Sequence, residues 1–198
     1  MADHRAITAI SKALLRLLKT NEKRAGIQDD LKFALYEIKD FMDKPAIPLT
    51  IGLSLLLYRV EVNGALRNMG PRGDAEGKLY RPALTLDLHY MLTPWSSDGG
   101  PETQQRLLGW AMSILDGNSS LPANFINEDF LAEGQGAVFE DNETVQILAE
   151  PLSFQDYLTL WDKLKPNMQI SATYVARLVQ IRSALTVDAA KPVQTRDL

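Results

Sequence analysis

The amino-acid sequence predicts an α+β domain, with a mostly antiparallel sheet of about four or five strands and about three helices packed against it. Three observations carry this expectation. Apolar, β-branched and aromatic runs recur at 31–38, 49–62, 84–92, 144–148 and 168–184. Between or before them stand apolar stripes at helical spacing near the N-terminus, at 102–115 and at 153–164. The composition is that of a globular chain, with 45% hydrophobic and 23% charged residues among 198. A chain of this length removes roughly 70% of its unfolded surface from water, so it needs no metal or disulfide staple. The expected organisation is one domain over residues 1–185 and an extension or arm over 186–198.

The first element places Ile7, Ile10, Leu14, Leu17 and Leu18 on one helical face, against Lys12, Arg16 and Lys19, with Asp3 as the predicted N-cap. A polar loop from Thr20 to Asp30, containing Gly26, leads into a strand at 31–38. Pro45 and Pro48 punctuate the chain before the long strand at 49–62. Its start is continuously apolar, as in a strand buried on both faces. Its end alternates Tyr58, Val60 and Val62 with Arg59 and Glu61, which predicts one exposed face. Asn63-Gly64 suits a turn, and Gly70, Pro71, Gly73 and Gly77 mark a glycine-rich loop.

The run at 84–92 sets Leu84, Leu86, Leu88, Tyr90 and Leu92 on one face and Thr85, Asp87, His89 and Met91 on the other. The stripe Leu107, Leu108, Ala111, Ile114 and Leu115 predicts a helix that stops at Gly117. Residues 119–140 follow no single pattern and fit either a short strand or a loop packing through Phe125, Ile126, Phe130 and Leu131. After a strand at 144–148, Ser153 with Asp156 three residues on gives a capping signal for a helix ending at Pro166. The final run, 168–184, is far longer than the usual strand of about five or six residues, which predicts a bend or a protruding end.

The formal net charge of −4 and the shortness of every basic stretch argue against a nucleic-acid binder. The absence of cysteine excludes disulfides, thiolate catalysis and zinc-thiolate sites. No secretory signal is visible. The longest apolar stretch, 51–57, is too short to span a bilayer, so no direct membrane insertion is expected.

Tests for chemistry return little. Asp87 and His89 share a strand face at i, i+2, a geometry open to a metal or an acid–base pair, yet no third ligand is identifiable and a hydrogen-bonded polar pair accounts for them as well. Glu140, Asp141 and Glu143 lack the spacing of a calcium loop. In the segment 70–78, Arg72 stands where a phosphate loop needs glycine, and Leu79 where it needs Ser or Thr. Arg72-Gly73-Asp74 matches an adhesive tripeptide, a match short enough to arise by accident. Neither a Gly-x-Ser-x-Gly elbow nor a His-Glu-x-x-His motif occurs. Trp95, between Pro94 and a glycine-rich turn, is open to two readings, an exposed anchor or a lid over the core.

Three segments read together carry a resemblance: 56–63 (LLYRVEVN) with Arg67 and Asn68, then 81–93 (RPALTLDLHYMLT), and finally Leu160-Trp161 through 170–174 (ISATY). With the leading helix and the Leu107-Leu108-Gly109 helix in matching order, the chain resembles the N-terminal domain of the cap, or tail-terminator, proteins of phage-tail-like contractile injection systems. The resemblance implies a structural protein, not an enzyme, that assembles as a ring, a hexamer by expectation. It would end polymerisation of the inner tube and contractile sheath. Its implied partners are itself, the sheath and tube subunits, and a paralogous cap subunit. The implied setting is cytoplasmic synthesis and assembly into a particle that is released or membrane-anchored. Family members can carry a further C-terminal domain, whereas this sequence stops soon after its last expected strand.

No catalytic, cofactor-binding or metal residue is carried over by the resemblance. Tyr58, Arg59, Asn63, Arg67, Asn68, Asp87 and His89, the polar residues of the matching motifs, either orient loops or contact neighbours, and Trp95 joins them as an interface candidate. Arg59 and Arg67 are the preferred contacts, because a guanidinium offers several directional donors. The overlong last strand and residues 186–198 are expected to dock on a neighbouring subunit by strand addition. The alternatives are a baseplate or other adaptor of the same particle and a metal-dependent enzyme using Asp87 and His89.

Overall fold

The computed structural model describes residues 1–26, 30–42, 51–64, 70–73, 78–96, 100–164 and 168–187. The N-terminal stripe forms α1 (Ala6–Thr20), which buries Ala6, Ala9, Ile10, Ala13, Leu14, Leu17 and Leu18. The N-cap position is taken by Arg5 rather than Asp3. Asp3 still organises the helix entry, since its carboxylate accepts from the Arg5 amide at 2.8 Å and its carbonyl from the Ala6 amide at 3.1 Å. A 3₁₀ turn at Glu22–Ala25 follows.

Next come β1 (Lys32–Tyr36), α2 (Ile38–Met42), β2 (Ile51–Val62), β3 (Arg72–Gly73), β4 (Leu79–Tyr80), β5 (Leu84–Ser96) and α3 (Gly100–Gly117). The chain continues through β6 (Ser120–Pro122), α4 (Ala123–Ala132), β7 (Thr144–Ala149), α5 (Phe154–Lys163) and β8 (Ala172–Ile181). Strands β1, β2, β5, β8, β7 and β6 lie in that order in one sheet, and β3 and β4 form a separate hairpin.

The α+β expectation holds, with corrections of detail. The main sheet has six strands instead of four or five, and it is mixed, because β1 pairs with β2 in parallel while the other pairings are antiparallel. A parallel neighbour requires a crossover, and α2 begins one at Ile38, the last residue of the strand expected at 31–38. There are five α-helices among the described residues rather than three. The sixth strand, β6, and the extra helix α4 come from the unpatterned stretch 119–140. There, Asn127 replaces an apolar signal by clasping the following loop: its Oδ1 accepts from the Val138 and Phe139 amides at 2.9 and 2.8 Å, and its Nδ2 donates to the Phe139 carbonyl at 2.8 Å.

Alternation along the central strands feeds two cores. Leu86, Leu88, Tyr90 and Leu92 of β5 pack with Leu53 and Leu55 of β2 beneath α1, α3 and α4. On the opposite face Leu56, Met91 and Trp95 pack with Tyr36, Phe41 of α2, and Trp161 and Leu164 at α5. Burying each of these large side chains contributes about 1.5–3 kcal/mol. Ser153 caps α5 as its sequence signal predicts, accepting from the Asp156 amide at 3.1 Å.

The last strand is shorter than the 168–184 expected, and it is bent as expected. β8 shifts register against β5 between Leu86 and Leu88, and Leu178 in the extra stretch adopts φ 59°. A non-glycine residue in that region marks a bulge, beyond which pairing resumes from Val179 opposite Leu86 to Ile181 opposite Leu84. Beyond it Thr186 bridges Tyr80, the Arg81 amide donates to the Leu185 carbonyl at 2.9 Å, and the Val187 amide donates to the Leu79 carbonyl at 2.8 Å. Residues 188–198 of the expected arm lie outside the described residues.

Candidate functional site

β2 crosses from core to surface at a second bulge. Leu57 opposes Tyr90 and Arg59 opposes His89, so Tyr58 is the extra residue between them. One inserted residue exchanges the two faces of everything that follows. Without it Arg59 would oppose Leu88 on the apolar face. With it Arg59 and Glu61 share a face with His89 and Asp87, and Val60 and Val62 share the other with Leu88 and Leu86.

Both faces of this end of β2 are open. Arg59 is exposed on one side, while Val60, Val62 and the neighbouring Leu84 are 45%, 54% and 46% exposed on the other. The sequence predicts one exposed face here; the structure exposes side chains on both, Arg59 on one and Val60 and Val62 on the other. Arg59 pairs with Glu61 two residues along the strand.

Asp87 and His89 share a face as predicted, yet they serve different partners. The Asp87 carboxylate accepts from the Leu178 amide at 3.0 Å and from the Asn63 side-chain amide at 2.9 Å. It thereby supplies the acceptor that the β8 bulge takes away from an N–H, and it ties the end of β2 to β5. His89 is buried at 4% exposure, with Nδ1 2.5 Å from a Glu150 oxygen and Nε2 3.2 Å from a Glu61 oxygen. An ionised carboxylate can only accept, so Nδ1 carries the proton in the Glu150 contact. The Nε2 contact is not aligned as a hydrogen bond.

Tyr58 lies beside this group, its ring centroid 6.1 Å from that of His89. Its hydroxyl is enclosed without a hydrogen-bond partner among the described residues. Burial, reinforced by the Glu150 charge, pushes its phenol up to about 12. Among the described residues no group of three or more His, Asp or Glu side chains is arranged to hold a metal ion. The arrangement is a polar clasp that fixes the geometry of the emerging strand.

Trp95 is taken up by the second core at 7% exposure, its Nε1 donating to Ser54 Oγ at 2.8 Å and its ring 5.6 Å from Tyr36. It is not an exposed anchor in this structure. Arg67 and Asn68 lie outside the described residues. Sequence reasoning missed Glu150 and Leu178, whose roles arise only when β7 and β8 are brought against β5. It quoted Glu61 within a motif without assigning it a partner.

Comparison with known proteins adds an independent line. A family model for the Pvc16 N-terminal domain matches residues 9–195. No curated protein matches the chain. Among solved structures, one similar chain is described as the PVC sheath/tube terminator, in the extended state, of an extracellular contractile injection system. It is 15% identical with a TM-score of 0.61, over 97% of this chain and 62% of that one. Another is described as the anti-feeding prophage cap, a tube terminating cap, 15% identical with a TM-score of 0.61 over 96% of this chain and 59% of that one. The chain thus spans about three fifths of the length of the structures it resembles, and at this identity the likeness establishes the fold.

Proposed function

The chain belongs to the Pvc16 N-terminal domain family, and from that premise we propose that it is a structural cap, a tail terminator that ends polymerisation of the inner tube and contractile sheath of a contractile injection particle. The family match over residues 9–195 carries this reading. The fold shared with a sheath/tube terminator and a tube terminating cap supports it. The chain works as a ring, a hexamer in the simplest form, whose subunits meet through heterologous surfaces that close on themselves. Its partners are further copies of itself and the sheath and tube subunits, with residues 1–185 as the assembling domain.

The uncovered end of β2 supplies a contact surface suited to that task. Arg59 contacts a neighbouring subunit on one side of the strand, and Val60, Val62 and Leu84 form an apolar contact on the other. Tyr58, Asn63, Asp87 and His89 hold that surface in shape from within. Residues 186–198 serve to dock on a neighbouring subunit; at their described start the Leu185 carbonyl accepts from the Arg81 amide and the Val187 amide donates to Leu79 of β4. No catalytic role is assigned, because Asp87 and His89 are engaged in holding strands together.

Electron microscopy of particles from cells with and without the gene tests the proposal. Loss of the density opposite the baseplate, with absent or irregular sheaths, is the expected result. Normally capped particles of normal length would overturn it and favour an adaptor elsewhere in the particle.

A further inference from the structure

Away from the β2 surface, the N-terminal segment, the β3–β4 hairpin and the chain after β8 enclose a cleft of about 830 Å³. Two exposed arginines line it, Arg81 beside the hairpin and Arg182 after β8, and neither has a carboxylate partner among the described residues. The two acidic side chains in its wall are already engaged. Asp3 is paired with the Arg5 guanidinium at 2.6 Å, and Glu140 with the Met1 amino group at 2.7 Å. Burial raises the Asp3 pKa, but hydrogen bonds and charge from Arg5 outweigh it and hold the carboxyl below its ordinary value. Among the described residues, therefore, the arginines of the cleft are not paired with a carboxylate, on a chain whose formal net charge is −4.

We propose that this cleft is a binding site for a carboxylate-bearing segment of a partner protein, an acidic peptide gripped by Arg81 and Arg182. Guanidinium groups present planar pairs of donors that match a carboxylate in bidentate fashion. Tyr80 and Ile181 give the walls apolar surface for the aliphatic stems of such a segment. Single-stranded nucleic acid is served poorly. It binds by stacking bases on open aromatic faces, whereas the Tyr80 ring already carries the Lys78 ammonium 5.5 Å from its centroid. The proposal rests on the cleft alone and stands or falls independently of the terminator reading.

Fluorescence anisotropy tests it, with dye-labelled hexaglutamate titrated into the full chain at low salt. Wild-type protein is expected to bind hexaglutamate and not labelled hexaglutamine, with affinity that weakens as salt rises. The double variant R81A/R182A should bind at least about tenfold more weakly, and R81K/R182K should fall between the two. Unchanged thermal melting of the variants shows that they remain folded, as expected for exposed side chains. Equal binding by R81A/R182A, no binding by the wild type, or tighter binding of a labelled thymidine decanucleotide would each overturn the assignment.

Discussion

Asp87 illustrates how a residue with the chemistry of a catalyst is committed to architecture. Its two oxygens take the Leu178 amide at 3.0 Å and the Asn63 amide at 2.9 Å, so its removal strands two donors. Asp87→Ala should cost roughly 1–3 kcal/mol, read as a lower urea midpoint, and Asp87→Asn should cost less because one acceptor oxygen survives. Arg59→Ala is the control. Its exposed pair with Glu61 contributes about 1 kcal/mol or less, so the midpoint should barely move. A loss at Arg59 as large as at Asp87 would contradict the division between an inner clasp and an outer contact surface. The tyrosines supply a pH signature at the same scale. Burial raises the phenols of Tyr36, Tyr58 and Tyr174 from 10.0 to about 12. A group raised on folding contributes stability that is complete below its unfolded pKa and lost as pH rises through the folded value. Stability should therefore decline from about pH 10 toward about pH 12, with tyrosine absorbance rising late and together with loss of tertiary signal. Ordinary ionisation near pH 10 in the folded protein would refute the burial of these rings.

At the scale of elements, the parallel pairing of β1 with β2 depends on one missing side chain. A Cβ on Gly52 would meet the Lys32 carbonyl oxygen at 2.1 Å, a contact that backbone on both sides cannot relieve cheaply. Gly52→Ala should destabilise by about 2 kcal/mol or more and selectively loosen β1, visible as faster amide exchange at residues 32–36 than in β5. Uniform exchange across the sheet would show that β1 is not separately held. Such dependence on close approach explains what the sequence did and did not disclose. Strands β5 and β7 and helices α1, α3 and α5 were legible because they lie between one core and another element or solvent, where burial imprints a period of 2 or 3.6. Strand β6 and helix α4 were not, since β6 has only three residues and the α4 region is organised by the buried amide of Asn127. The two bulges were legible only in part. The length of the last apolar run foretold a bend, but nothing local marked Tyr58 as the residue that turns β2 over. Likewise the motifs brought Asp87 and His89 into view, while Glu150 emerged only from the β7–β8 pairing that carries it there.

For the whole molecule, the decisive asymmetry is between a sheet covered on both faces at its centre and a β2 end covered on neither. The centre is closed by two cores that, among the described residues, share no side chain. Substitutions at the open end should therefore separate folding from assembly. Val62, at 54% exposure, makes little contribution to the core, so Val62→Asp should leave the melting temperature within a few degrees of wild type. In a ring contact the same change buries an unpaired carboxylate against an apolar neighbour, a penalty repeated at every interface of a closed ring. The expected outcome is a folded chain that fails to form rings by light scattering and leaves particles uncapped by electron microscopy. Arg59→Glu should act in the same direction from the opposite face of the strand, and combining the two should add little once assembly is lost. If both variants form rings and cap particles normally, the ring contacts lie elsewhere and the open end of β2 has no part in closing them.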